Sequence, residues 1–268
     1  MVPTTPVVCA PSGRQLRCAR MRGSSLGESG PLRFALLIPA RNEAEALPTL
    51  LGRVRGVAGD DLMDVVVVDN GSTDATSEVA EAGGAMVVSE PRPGYGQACQ
   101  RGIEALARTG PPDVLVFLDA DDFEAPAQLD RLLAPLRDDR VDLVVGERVA
   151  AAGEGVRWHA RLGNRLVLGL MRGLYGHAPR DMGPFRAIRW KALERLDLDD
   201  PNYGWYVQMQ VRAARAHLRT VGVPVEFERR SLGRSKVSGS MRGSMDAGLV
   251  MLRTLVVEVL RRPSDRPW

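Results

Sequence analysis

Five short runs of uninterrupted apolar residues, at 34–38, 65–68, 86–88, 114–118 and 143–145, recur through the first 150 residues. Helical patterns lie between them, near 44–55, 74–82, 96–108 and 127–137. A strand with one wet face alternates apolar and polar side chains, whereas a strand covered on both faces is apolar throughout. The pattern therefore predicts an α/β fold with an open, mostly parallel, Rossmann-like sheet and helices on both faces. In such a sheet, ligands bind beyond the carboxyl ends of the strands.

Polar residues collect at three of those ends. Arg41-Asn42-Glu43 follows the first run, Asp69-Asn70-Gly71-Ser72 the second and Asp119-Ala120-Asp121-Asp122 the fourth. One polar end is ordinary turn chemistry; three in the same sense point to a shared site. Carboxylates at i and i+2 past a strand end can both reach one hard cation, so Asp119 and Asp121 are candidate ligands for Mg2+ or Mn2+. Such an ion would neutralise charge on a departing diphosphate. The plainer alternative is an acidic turn capping the next helix, with Asp122 a solvated neighbour. In the second loop, Gly71 permits a tight turn, Ser72 or Thr73 can cap the following helix, and Asp74 favours its positive end. That leaves Asp69 unexplained, and its place at the strand end suits contact with a ribose or base. Gly94-Tyr95-Gly96, with Ala98 and Gly102, is an incomplete phosphate-loop fingerprint and reads better as a helix packed closely on the sheet, with Arg92 a donor contact.

Composition narrows the class. The 36 Lys and Arg against 33 Asp and Glu leave a net charge of only +3, too little to indicate nucleic acid. Cys9, Cys18 and Cys99 are widely spaced, which suggests neither a disulfide framework nor a zinc site and favours a reducing, cytoplasmic setting. Cys99 reads as a small buried helical residue, and the three histidines are isolated. No run of about 18 apolar residues is present to span a bilayer. Residues 1–30, rich in Pro, Ser, Gly and Arg, read as a disordered leader, and Met21 could equally begin the chain. Residues 31–245 then form the catalytic domain and 246–268 an amphipathic helix and tail.

After residue 150 the rhythm weakens. Residues 158–175 carry Trp158, Leu162, Leu166, Leu170 and Leu174 at helical spacing, predicting one buried stripe. A strand at 185–189, helices at 190–196 and 205–216, and a strand at 223–227 follow. From Arg229 to Arg242 there are five basic residues and no acidic one, with Gly233 and Gly239 among them and Gly243 just after. Such a loop suits an anion, although a solvated basic loop is the plainer meaning. The last helix, near 246–262 and ending in Arg261-Arg262, fits either an anionic membrane surface or the core.

Ile38-Pro39-Ala40-Arg41-Asn42-Glu43, Val68 to Asp74 and Leu118-Asp119-Ala120-Asp121 together resemble the three signatures of family 2 glycosyltransferases. The resemblance implies a GT-A fold, a UDP- or GDP-sugar donor, a divalent cation and inversion at the anomeric carbon. It places Pro39, Glu43, Asp69, Asp119 and Arg92 against the donor and Asp121 in catalysis. Three later segments, Asp181 to Arg186, Gly204 to Gln210 and Arg230 to Lys236, are similar to those of dolichyl- and polyprenyl-phosphate sugar synthases. That similarity implies a lipid-phosphate acceptor held by Arg230, Ser235 and Lys236, and a role for Asp181 in alignment or as a base. Gln208 and Gln210 stand where relatives carry an acid, and Phe123 stands where a further metal-site Gln is common. A phosphate acceptor is already largely ionised at neutral pH and needs no strong base, whereas a hydroxyl does. The amides lean toward phosphate. A soluble hydroxyl acceptor, a nucleotidyltransferase and a non-catalytic nucleotide-binding protein are the alternatives.

Overall fold

The computed structural model of the chain describes residues 31–57, 59–150, 168–175, 180–227 and 241–261. Each apolar run becomes a strand: β1 Phe34–Ala40, β2 Leu62–Asp69, β3 Met86–Ser89, β4 Val114–Phe117 and β5 Leu143–Ala150, followed by β6 Arg186–Arg189 and β7 Thr220–Phe227. They form one sheet in the order β3-β2-β1-β4-β6-β5-β7. β6 runs antiparallel to β4 and β5, and the other pairings are parallel. The chain winds outward from β1 through β2 to β3, then returns to β4 on the other side of β1. The carboxyl ends of β1 and β4 therefore splay apart at a topological switch point, the expected ligand crevice.

Continuous hydrophobicity has the predicted cause. Leu37, Val66, Val68, Leu115 and Phe117 face one core, while Leu36, Ile38, Val67, Val114 and Val116 face the other. On the second face lie α1, Leu47–Val57, and α4, Leu129–Leu133. Its partners on the first face include α3, Tyr95–Thr109, α6, Trp190–Leu196, and α7, Trp205–Arg215. α1 buries Leu47, Leu50, Leu51 and Val54, the i, i+3, i+4, i+7 stripe of an amphipathic helix. α2, Thr76–Ala82, joins β2 to β3. Gly102 sets the approach of α3 to the sheet: a Cβ there would lie 2.6 Å from Leu37 Cδ1 and 2.9 Å from Val68 Cγ2. Close packing, as read from the glycines, is what they serve.

Several boundaries differ from expectation. The single helix expected at 127–137 is α4 between two 3-10 turns, Pro126–Gln128 and Ala134–Arg137, because Pro135 cannot donate to a continuing helix. β5 runs on to Ala150, so Arg148 projects from a strand rather than a loop. Residues 168–175 form α5, but its stripe is turned round: Leu168 and Met171 are buried, while Leu170 and Leu174 are exposed. The last helix, α8, spans Met241–Leu260, beginning earlier than predicted. Among the described residues no helix is long and apolar enough to cross a membrane.

Candidate active site

The ends of β1 and β2 are stitched into one surface. Ser72 Oγ accepts from Asn42 N–H at 2.9 Å, and Asn42 Oδ1 accepts from Thr73 N–H at 2.7 Å. Thr76 Oγ1 accepts from Glu43 N–H at 2.9 Å, and Asp74 Oδ2 accepts from Ala44 N–H at 3.3 Å. The predicted helix cap is thus corrected. α2 starts at Thr76 without a side-chain cap, and Ser72 and Thr73 bond sideways to the neighbouring loop instead. Gly71 has φ +70°, as a tight turn requires.

Asp69 is less unexplained than the sequence suggests. Its Oδ1 accepts from Ser72 N–H at 2.8 Å and its Oδ2 from Ser77 O–H at 2.5 Å. Burial works against its charge, yet these hydroxyl and amide donors hold its pKa below the usual carboxylate value. An ionised, oriented carboxylate stands at the end of β2. Pro39 lies on β1 opposite Val68, beyond the last β4 partner at Leu37, so its missing N–H breaks no ladder bond to β4.

Asn70, which the sequence offers only as part of a turn, is a buried clamp. Its Nδ2 donates to the carbonyls of Glu90, 3.0 Å, and Arg92, 2.7 Å, while its Oδ1 accepts from Gly94 N–H at 2.8 Å. Arg92 is mostly exposed and directs its guanidinium to Glu90, with Nε to Oε1 at 2.8 Å and Nη2 to Oε2 at 2.9 Å. The fork serves Glu90, a buried acid that sequence reasoning missed. Gly94 and Gly96 meet a second segment: a Cβ at Gly96 would lie 1.9 Å from the Asp200 carbonyl oxygen.

Asp119 and Asp121 emerge just past β4, in the crevice beside β1. Asp119 is half-buried, with Tyr206 O–H donating to its Oδ1 at 3.4 Å. The Tyr206 ring lies 4.8 Å from that of Tyr95 and carries the Arg186 guanidinium 4.6 Å above it. Arg186 is wholly buried and donates to the Gly183 carbonyl at 2.6 Å. Burial first, then the charges of Asp121 and Asp122, push the Asp119 carboxyl up to about 7. Asp122 is buried rather than solvated, and its Oδ1 accepts from Ala125 N–H at 3.2 Å, so it holds the turn into the following 3-10 helix. Burial raises its pKa to about 6.

Among the described residues no three His, Cys, Asp or Glu side chains form a ready-made metal cage. That donor set still fits Mg2+ or Mn2+, because such ions commonly take one or two carboxylates and complete their shells with phosphate oxygens and water. Asp119 and Asp121 are the two hard oxygen donors at the right strand end.

Arg148 is the residue that the sequence concealed. Its Nε donates to Asp181 Oδ2 at 2.6 Å and its Nη2 to Oδ1 at 2.9 Å, and Met182 N–H adds a bond to Oδ1 at 2.9 Å. Burial opposes the charge on Asp181, but Arg148 holds its pKa below the usual range. This geometry weighs against a base at Asp181: both oxygens serve a cation, and an acid held ionised has little pull on a proton near neutral pH. Its geometry is that of an aligning residue, and the charge of Arg148 reaches Asp119. Only β5 running past Val145 brings Arg148 there.

The amides of α7 also gain a meaning. Gln208 Oε1 accepts from the backbone N–H groups of Asp199 and Asp200, at 2.8 and 2.9 Å. Its Nε2 donates to Asp199 Oδ1 at 2.6 Å and Glu258 Oε1 at 3.0 Å. A carboxylate has no proton to donate to Asp199 and Glu258, so the amide of Gln208 serves the structure here. Cys99 is buried, as expected, and Trp205 belongs to the core. Arg230, Ser235 and Lys236 lie outside the described residues.

The glycosyl transferase family 2 model matches residues 35–197. The chain is 40% identical over 212 residues to an uncharacterized glycosyltransferase of Mycobacterium tuberculosis, covering 79% of this chain and 93% of that protein. It is 36% identical over 230 residues to an undecaprenyl-phosphate mannosyltransferase of Micrococcus luteus, covering 79% and 90%. Its fold resembles glucosyl-3-phosphoglycerate synthase of Mycobacterium tuberculosis in complex with Mn2+, UDP and phosphoglyceric acid, with a TM-score of 0.70 at 21% identity, over 87% of this chain and 80% of that one. With the sheet order, the carboxylates past β4 and this match across more than half its length, the chain belongs to glycosyl transferase family 2.

Proposed function

We propose that this glycosyltransferase moves a sugar from a nucleoside-diphosphate sugar to a polyprenyl phosphate, with inversion at the anomeric carbon and with Mg2+ or Mn2+. The observation that carries the acceptor choice is the Arg148–Asp181 clamp, which leaves Asp181 ionised and engaged rather than ready to take a proton. A phosphate monoester, with a second pKa near 6, needs no such base. The relation to an undecaprenyl-phosphate mannosyltransferase supports the same acceptor.

In this reading Pro39, Glu43 and Asp69 hold the nucleoside and Arg92 reaches the donor from the rim. Asp119 and Asp121 would hold the cation, whose charge would stabilise the leaving diphosphate. Arg148, aimed by Asp181, places positive charge beside Asp119. Arg230, Ser235 and Lys236 bind the acceptor phosphate. An oxygen of that phosphate attacks the anomeric carbon as the bond to the diphosphate oxygen breaks. The protein sits at the cytoplasmic face of a membrane, where such a lipid is reached.

A soluble hydroxyl acceptor is the second reading, favoured by the fold neighbour that holds phosphoglyceric acid. The test is a transfer assay with UDP- and GDP-hexoses, with Mg2+, Mn2+ or EDTA, and with a short polyprenyl phosphate or phosphoglycerate as acceptor. Product on the lipid phosphate, abolished by EDTA, is expected. Transfer to phosphoglycerate alone would overturn the acceptor, and activity unchanged by EDTA would overturn the metal.

A further inference from the structure

α8 covers the core with Leu255 and Met251, yet it also turns an acid inward and several valines outward. Its inward side carries Thr254, Leu255 and the carboxylate of Glu258, which is 1% exposed. Glu258 Oε2 accepts from Arg212 Nε at 3.1 Å and its Oε1 from Arg212 Nη2 at 3.0 Å. The outward side carries Val256, Val257, Val259 and Leu260, with Leu260 75% exposed. A soluble helix ordinarily shows the reverse, with its acid in water and its valines inside.

α5 also turns leucines outward, with Leu170 and Leu174 exposed at i and i+4 although it buries Leu168 and Met171. Arg215 links the two helices. Its guanidinium stands 5.9 Å from the Tyr175 ring and donates to the carbonyls of Glu258 and Val259. Both helices therefore meet the same side chain.

The charges around them select the occupant. Across 168–175 and 250–261 every exposed residue is Gly, Leu, Val or Arg. Among the described side chains of 168–175 and 250–261 the exposed charges are Arg172, Arg253 and Arg261, the last also pairing with Asp199 at 3.1 Å. A second copy packing these faces together would bring the same arginines against one another, and the described side chains of 168–175 and 250–261 include no exposed carboxylate to meet them. An anionic bilayer offers acyl chains to the leucines and valines and headgroup phosphates to the arginines. We infer that the outward faces of α5 and α8 form a peripheral docking surface for an anionic membrane. The inference deepens the lipid-phosphate reading, on which it rests for its purpose but not for its chemistry.

The test is co-sedimentation of the full chain with phosphatidylcholine vesicles, with and without phosphatidylglycerol. Wild type should sediment with the anionic vesicles, and Leu260→Asp or Val257→Asp should weaken partitioning by at least about tenfold. Leu174→Ser on α5 should also weaken it, without touching the α7–α8 contact. Arg253→Glu should lower binding to the anionic vesicles alone. Wild type remaining in the supernatant overturns the inference. So does a dimer in analytical ultracentrifugation that Val257→Asp dissociates while vesicle binding stays unchanged. Transfer to a short, water-soluble polyprenyl phosphate, measured without vesicles, should be the same in Leu260→Asp as in wild type. Vesicle binding without any such transfer would sink the acceptor reading and leave the docking face standing.

Discussion

Asp181→Asn separates alignment from base catalysis. Two of the bonds to its carboxylate come from the Arg148 side chain, at 2.6 and 2.9 Å, with only 12% of the Asp181 side chain and 25% of the Arg148 side chain exposed. Asparagine keeps the shape but turns one oxygen into an NH2 donor facing the Arg148 N–H groups. Breaking a fully buried ion pair costs about 3–5 kcal/mol, and the residual exposure here lowers that to roughly 2–4 kcal/mol. For a domain of this size the melting temperature should fall by roughly 5–15 °C. If Asp181 acts by aiming Arg148, then Arg148→Ala should reduce kcat/KM by a similar factor, roughly a hundredfold for a displaced group, and the double variant should be no worse than either. The pH profile should keep its shape. Asp181 has a lowered pKa, so the stability it contributes is complete above the unfolded value of 3.8 and is lost only as pH falls below it. The refuting result is an Arg148→Ala enzyme that retains transfer while a folded Asp181→Asn enzyme has none. That outcome would make Asp181 the base and return the acceptor to a hydroxyl.

Asp121→Ala should keep the wild-type melting temperature and lose about a thousandfold in transfer, the scale of losing metal-held charge stabilisation; comparable activity would remove it from the metal site. Gly96→Ala should destabilise by about 1–3 kcal/mol or more, because its Cβ would lie 1.9 Å from the Asp200 backbone oxygen; an unchanged thermal melt would show that the segment moves freely. Glu258→Ala leaves Arg212 buried against α8 without that carboxylate and should cost about 3–5 kcal/mol by urea unfolding, whereas Val256→Ala on the opposite side should cost almost nothing. Glu90 has its pKa drawn from 4.5 down to about 2, chiefly by its bonds from Arg92. Its contribution is complete above pH 4.5 and fades as pH falls toward 2, so Glu90→Gln should narrow the stability difference from wild type across that interval.

The two faces of the sheet were legible because burial on both sides demands apolar residues at every position, and that demand is local in the chain. So were the polar ends at Glu43, Asp69 and Asp119, since a strand end followed by a helix start is a short-range pattern. The breaks around α4 were missed by the reading of one helix at 127–137, although Pro126 and Pro135 mark them. Long-range pairings were not legible. Arg148 meets Asp181 across 33 residues, and nothing near either one names the other. Asn70 seemed part of a turn because its three bonds go to the next loop, at Glu90, Arg92 and Gly94. The stripe of Leu170 and Leu174 was visible as a stripe, but periodicity gives the spacing of an apolar face and not its direction.

The amino-acid sequence by itself determined the class of sheet, its helical layers and the carboxylate-bearing strand ends, because these follow from backbone geometry and burial over a few residues at a time. Tertiary structure alone decided that β6 enters antiparallel, that Arg148 clamps Asp181, and that α8 turns its acid inward and its valines out. Each of those depends on which distant group fills the space opposite, and a desolvated charge takes its behaviour from that neighbour.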